Sequence, residues 1–520
     1  MKKNAKRYSF LLVVVVLVAC YLANCSQTLT TVETPTIAAN PSRAGVPPLV
    51  FQVHPEKTFQ TIVGFGTSFG NGVHVAMIEK EEDRSRVYDL LYGESEGGAR
   101  LNIVRIPIWL ADPLSKTAPL YAQGFHYNWD ADRHTQSTWR AVEPVLKRTK
   151  PIIYAVGFTP PGRWKTNNSP INGGALKREH YQDYAEYLTD FVDYYHRVLH
   201  VDIDVLSIQG EPDFTAPFGS CIWTGTELRD FLKVLAPTLR TRRLNTMLML
   251  SEGSNWSEAW RRLEPTLHDP TAVSSLNLMA SHSYGDPMDG AMSRFASASQ
   301  EYGLPVWMSE MSLIQAPGQP PAPDDPGMNA AIRVAGYMHR DLVEAHASAW
   351  IYCLAIYSLK EYAPGMGILS PAGPGGTPNG KFIVPKRFWA MAHYSRFVLP
   401  GWKLMSVTKV TPGESPDRTA KAVQPPDRSR TGISFGFVNT AFVSPDGKRL
   451  VIVAVNSTSR PQLASYDFGT HVISRFKAYC TTANFNLSGI PVPDTGSGNL
   501  STTVPPMSIT TFVGEIGGGA

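Results

Sequence analysis

Cysteine is scarce in this chain: five residues in 520, with two of them, Cys20 and Cys25, inside the first 25. The other three, Cys221, Cys353 and Cys480, are dispersed and odd in number, which excludes a disulfide framework and reads as buried small hydrophobes. No group of His and Cys has zinc spacing, so no metal centre is expected. Charge is thin as well. Charged residues make up 18% and the formal net charge is +4, scattered rather than in blocks, which excludes the clustered Lys and Arg of a nucleic-acid surface. No apolar run is long enough for a membrane span; FLLVVVVLVA, Phe10 to Ala19, falls well short. The glycines of GFGTSFG are spaced GxGxxxG with no acidic partner for a ribose, which excludes a dinucleotide site. No cofactor is called for.

What is present is ample material for a core. The chain is 43% hydrophobic and 10% aromatic over a length that allows more than one domain. At the start, Lys2, Lys3, Lys6 and Arg7 precede the short apolar run, so residues 1–20 read as an export signal. LVAC, Leu17 to Cys20, has the form of a bacterial lipobox, which implies membrane attachment through a lipidated Cys20. Cleavage near Ala23 or Cys25 to a freely secreted protein is the alternative. Either way the expected location is outside the cytoplasm: cell surface, periplasm or medium. Residues 21–48 are rich in Thr, Pro and Ala and read as a tether.

From residue 61 to 400, eight apolar strand-like runs alternate with amphipathic helical segments. The runs are IVGFGTSFG, LNIVRIPIW, PIIYAVGF, DVLSIQ, TMLMLSE, LNLMASHSY, LPVWMSE and SAWIYCLA. Between the third and fourth, Tyr181, Tyr184, Leu188, Phe191, Tyr195 and Val198 recur at helical spacing, and Thr224 with Glu227 has the spacing of a capping box. This alternation predicts a (β/α)8 TIM barrel, an α/β fold. Two long Pro- and Gly-rich stretches, 315–329 and 363–380, follow the seventh and eighth strands, on the face where barrel loops build a site; tolerated surface insertions are the plainer reading of either. Beyond residue 400 helical periodicity gives way to short β-rich runs, which with residues 49–60 predict a β-sandwich side domain covering 401–517.

Within the barrel, SIQGEPDF raises a chemical question. Glu211 stands between a glycine and a proline at the tip of the fourth strand, because Pro212 cannot continue a ladder. Glu310 ends LPVWMSE, at the tip of the seventh. Two carboxyl groups on one face of a barrel suit a retaining glycosidase, which needs them roughly 5 Å apart, one protonated and one ionised. Glu252, ending the fifth strand, shows that such tips also occur without that role.

Read together, TIVGFGTSFG, FTPPGRWKTN, LSIQGEPDF, ASHSYG, VWMSEMS and FWAMAHYSRFVLPGW resemble, in order and spacing, glycoside hydrolase family 30, over nearly the whole chain past the leader. The resemblance implies a retaining β-glycoside hydrolase that binds an oligosaccharide or polysaccharide as a monomer. Glu211 would be the acid/base and Glu310 the nucleophile. The LPGW bridge and the short strand-eight segment are closer to the xylanase-type members than to glucosylceramidase. Xylanases that grip a glucuronic acid branch use an arginine in the strand-eight loop, where only Lys360 stands here, so a β-1,4-xylanase not dependent on that branch, a β-1,6-galactanase and a β-1,6-glucanase all stay open. One position departs from the pattern: the clan carries Asn before the acid/base, donating to the substrate 2-hydroxyl, and this chain has Gly210. Either the gap serves a different sugar or another donor, or the chain is a weakened enzyme that chiefly binds carbohydrate. Further substrate-binding candidates are Arg105, orienting the nucleophile, Tyr284, donating to Glu310 or the ring oxygen, and His282, a ligand or a satisfied core histidine. Trp164, Trp223 and Trp350 are candidate stacking platforms, with Trp350 foremost and core packing the alternative for each.

Overall fold

The computed structural model describes residues 48–109, 129–130, 132–285, 289–313, 325–357, 366–371, 382–410, 435–492 and 499–517. The export signal, Cys20, the tether up to residue 47, Lys360 and most of the two long loops lie outside the described residues.

The expected barrel is present and closed. Its parallel strands are β2 (Gly64–Ser68), β3 (Ile103–Ile108), β4 (Ile152–Gly157), β5 (Val205–Ser207), β6 (Met247–Gly253), β7 (Leu278–His282), β8 (Val306–Met311) and β9 (Ala347–Tyr352), with β9 pairing back to β2. Helices α1 (Glu81–Tyr92), α2 (Arg133–Leu146), α3 (Tyr181–Arg197), α4 (Gly225–Thr241), α5 (Trp256–Leu267), α6 (Ala291–Tyr302) and α7 (Met328–Glu344) cover the outside. Their starts follow from sequence: Thr224 and Glu227 close the capping box of α4, and Asn255 accepts from Ser257 and Glu258 at the head of α5.

Alternation along each strand sorts side chains between two cores. Ile103, Tyr154, Val156, Val205, Met249, Leu278, Ala280, Trp307, Ala349 and Ile351 fill the barrel interior. Their neighbours, such as Val104, Ile153, Met308, Trp350 and Tyr352, join the larger cluster between strands and helices. Two strands break this parity near their C-terminal tips. In β6 the pairing with β7 slips between Ser251 and Gly253, and in β8 it slips opposite Ser281 and His282, so an extra residue turns the next side chain to the other face.

The described residues outside the barrel include a nine-stranded, mostly antiparallel sheet. In it β1 (Leu49–Thr61) lies between β10 (Lys403–Val410) and β11 (Gln462–Asp467), so segments before and after the barrel meet. The chain crosses from sheet to barrel and back at one place, where Ile62 donates to the Trp402 carbonyl at 2.7 Å and Gly401 to the Ile62 carbonyl at 2.9 Å. The seam between the two units is polar in places: His339 on α7 bonds Thr440, and His393 on α8 (Lys386–Ser395) bonds Thr511 and Thr481. No helix among the described residues is long and apolar enough to cross a membrane.

Candidate active site

At the C-terminal mouth of the barrel the tips of β3, β5, β6, β7 and β8 bring five ionisable groups together. Glu310 on β8 is the centre. Its Oε2 receives Nη1 of Arg105 from β3 at 2.5 Å, and its Oε1 receives the Tyr284 hydroxyl at 2.9 Å, which also meets Ser312. Burial works to raise the Glu310 carboxyl, but the Arg105 guanidinium first, then His282 and the Tyr284 hydrogen bond, outweigh it and hold the group down at about 2. It stands ionised with both oxygens fixed.

Glu211 follows β5 directly, in a left-handed turn at φ 50°, with its amide bonded to the Glu252 carbonyl. That unusual backbone aims the side chain into the cleft, where it keeps the larger exposure of the two carboxyls, 22% against 12%. Burial pushes the Glu211 carboxyl up; the His282 hydrogen bond opposes this, and the negative charges of Glu310 and Asp213 add to it. A carboxylate oxygen of each glutamate and a ring nitrogen of His282 all lie within 4.8 Å of one another. The two carboxyls thus share a cleft while their environments push their proton affinities apart, which is how acid and nucleophile are told apart.

His282 is fully buried between the carboxylates, with Nδ1 3.2 Å from Glu211, Nε2 3.5 Å from Glu252 and 4.0 Å from Glu310. Burial alone would lower its pKa; Glu310, Glu211 and Glu252 together raise it to about 10. It is therefore an imidazolium. Glu211, His282 and Glu310 have the composition of a metal site, but a proton on His282 and a guanidinium on Glu310 occupy the positions that a metal's donors would need.

The sequence reading passed over Glu252. It is fully buried, accepts a hydrogen bond from Tyr154 and faces His282, so it belongs to the same cluster. Burial favours its neutral form, yet His282 and Arg105 keep its pKa below the ordinary value. Nothing in TMLMLSE signals this. Met249 lies in the barrel interior and Ser251 bonds the Ala259 carbonyl of α5, while Glu252, the extra residue at the slip in pairing and held at φ 53°, turns to His282 in the mouth. Tyr154, an ordinary interior residue of β4 that receives Arg105 Nε at 3.4 Å, and Cys353, whose thiol helps hold Glu310 ionised, also belong to the cluster and were missed.

The tryptophans correct the sequence reading. Trp350 is fully buried and faces away from the cleft, its indole N–H donating to Asp341 on α7 at 2.9 Å. The cause is parity: Ala349 and Ile351 take the interior positions of β9. Trp223, 1% exposed, donates to Gln209 and packs among Tyr181, Tyr184 and Phe231. Trp164, 6% exposed, stacks on His180 and meets the edge of Tyr187 at α3. All three are core residues, and none offers a sugar an open face. The aromatic surface at the cleft is a stacked pair instead, Trp109 and Phe158 from the ends of β3 and β4, with centroids 4.4 Å apart.

Gly210 is buried, and its φ is not positive. A β-carbon there would meet Val156 Cγ2 at 3.3 Å, Arg105 Nη2 at 3.5 Å and the Phe158 ring at 3.7 Å. The same Nη2 is buried and has no hydrogen-bond partner among the described residues. The missing side chain therefore leaves a donor of the Arg105 guanidinium unanswered among those residues.

A pair of carboxyl groups at this separation in the mouth of a (β/α)8 barrel defines a glycoside hydrolase. Residues 62–304 match the glycosyl hydrolase family 30 TIM-barrel domain. The chain is 22% identical over 393 residues to glucuronoxylanase XynC of Bacillus subtilis, covering 74% of this chain and 78% of that one. In structure it is similar to the catalytic domain of xylanase C from Talaromyces cellulolyticus, with a TM-score of 0.69 at 23% identity over 90% of this chain and 100% of that one. An endo-β-1,6-glucanase is similar at a TM-score of 0.65 and 17% identity over 90% and 94% of the two chains. The xylanase-type resemblance stands.

Proposed function

We propose that this hydrolase is an endo-acting retaining β-glycanase with xylan as substrate. Glu310 attacks the anomeric carbon while Glu211 protonates the leaving oxygen, and Glu211 then takes a proton from the water that hydrolyses the glycosyl–Glu310 ester. Arg105 and Tyr284 keep the nucleophile ionised and aimed. Arg105 stays charged throughout, and Tyr284 relaxes its hydrogen bond as the carboxylate charge passes into the ester. The observation that carries this reading is the placement of Glu211 and Glu310 oxygens within 4.8 Å in environments that favour opposite protonation states.

Xylan is favoured by the names borne by two of the similar proteins and by the xylanase-type features of the sequence. A β-1,6-glucan is the second reading, supported by the similar glucanase fold; β-1,6-galactan stays with it. The test is hydrolysis of purified xylan, β-1,6-glucan and β-1,6-galactan, with the anomer of the first product followed by NMR and repeated on Glu310→Gln. Retention on xylan, lost in the variant, is expected. Inversion, or full activity in the variant, overturns the mechanism; binding without cleavage on every glycan promotes a carbohydrate-binding protein on a barrel scaffold. Export and anchoring through Cys20 belong to the same reading, supported by the leader's basic start, apolar run and LVAC. Fatty-acid labelling that survives Cys20→Ala would refute the anchor.

A further inference from the structure

The loops after β4 and β5 are laced together more firmly than surface loops require. Ile171 bridges Gly219, Asn172 donates to the Ala216 carbonyl, Ser220 to the Pro170 carbonyl and Ile222 to the Gly174 carbonyl. Beneath them the buried Lys165 ammonium bonds the Ser220 carbonyl at 2.5 Å and the Thr159 hydroxyl at 3.2 Å. This makes a rigid shelf beside Glu211.

A shelf so well satisfied in its backbone nonetheless leaves apolar side chains in water. Ile171, Phe214 and Phe218 are 37%, 39% and 47% exposed, three of the ten exposed large hydrophobics among the described residues, with the two phenylalanines the only aromatic ones among the ten. Phe214 closes the turn that begins at Glu211, its amide donating to the Glu211 carbonyl at 3.0 Å. Phe218 precedes Gly219, where a β-carbon would touch Phe158 and Trp109, a stacked pair of which Phe158 also borders Gly210. The apolar surface is thus continuous with the cleft on the side of the carboxyl whose backbone turn it shares. Exposed rings held on a rigid frame next to a polar cleft are what the apolar C–H faces of sugars bind.

We propose that Ile171, Phe214 and Phe218 form a leaving-group-side subsite, taking the sugar residues beyond the bond that Glu211 protonates. This rests on the hydrolase reading above, and commits it to a substrate that continues past the scissile bond as a β-linked chain. The test uses the full chain and the variants Phe214→Ala, Phe218→Ala and the double, whose exposed side chains can be removed with Tm as a check on folding. On β-1,4-xylo-oligosaccharides the double variant is expected to lose roughly tenfold or more in kcat/KM for the loss of two ring contacts. On an aryl β-glycoside, whose leaving group carries no sugar, the loss should be at least fivefold smaller. Equal losses on both substrates, or none on the oligosaccharide, overturn the subsite. Calorimetric binding of the same oligosaccharides to Glu310→Gln, with and without the two alanines, separates the two proposals. Failure of the wild type to hydrolyse any of the three glycans sinks the enzyme reading, whereas unchanged affinity, or no affinity at all, sinks the subsite. A dimer that the alanines dissociate in light scattering would assign the rings to a contact between copies and also overturn it.

Discussion

Replacing Gly210 by asparagine is expected to raise turnover by roughly tenfold to a hundredfold, judging from what removal of one transition-state donor costs elsewhere. The backbone accepts the change, since φ at 210 is not positive, and no heavy atom lies within 3.0 Å of the new β-carbon. The tightest neighbour, Val156 Cγ2 at 3.3 Å, has to give by a few tenths of an ångström. In return the new side-chain carbonyl sits where it can accept from Arg105 Nη2, a charge-assisted bond worth about 1.5–3 kcal/mol, while the amide points a donor toward the sugar 2-hydroxyl. The Nη2 bond is made in the free enzyme too, so it should appear in Tm; the amide contact strengthens in the transition state and should appear in kcat. The assay is initial-rate kinetics on xylan and on an aryl β-xyloside, with Gly210→Ala as the control that adds the β-carbon and no hydrogen bond. A folded Gly210→Asn no faster than Gly210→Ala would refute the reasoning, and would mean that another group already serves the 2-hydroxyl.

Other consequences follow from the same geometry. Glu310→Gln should lower kcat by three orders of magnitude or more, about what loss of a covalent nucleophile costs, measured against trace wild-type contamination. Since Glu310 works ionised and Glu211 protonated, kcat/KM should be bell-shaped in pH, rising through about 2 and falling above the ordinary carboxyl range. Arg105→Met removes the first attraction that offsets burial of Glu310, so the acidic limb should move up by more than one pH unit with a folded protein; an unmoved limb contradicts the assignment. His339 and His393 are buried neutral at the seam between barrel and sheet, with pKa values lowered by burial to about 4 and about 3. An unfolded chain takes up their protons near 6.5, so their stabilisation is complete above that pH and is lost as pH falls toward 4, by about 3 kcal/mol for His339 alone. Tm measured from pH 7 to pH 4 should therefore fall, and His339→Gln should flatten the slope; a slope unchanged in that variant refutes the account.

The order of strands and helices could be read from the sequence because it is local. Apolar alternation marks a strand, period 3.6 marks a helix, and Pro212 after Glu211 marks a strand's end whatever the chain does elsewhere. The same local logic put Glu211 and Glu310 at strand tips on one face, and named Arg105, His282 and Tyr284 as their company. Which way each tip side chain points is another matter, because it depends on pairing between strands far apart in the chain. A slip of register in β8 turns Glu310 inward beside His282, and Glu252 reaches the same place as the extra residue of the slip in β6, while regular alternation from Ala349 to Tyr352 turns Trp350 out to Asp341. The unanswered Nη2 beneath Gly210 and the bared phenylalanines beside Glu211 likewise exist only once distant segments meet, since a missing partner is a property of the space around an atom and not of its neighbours along the chain.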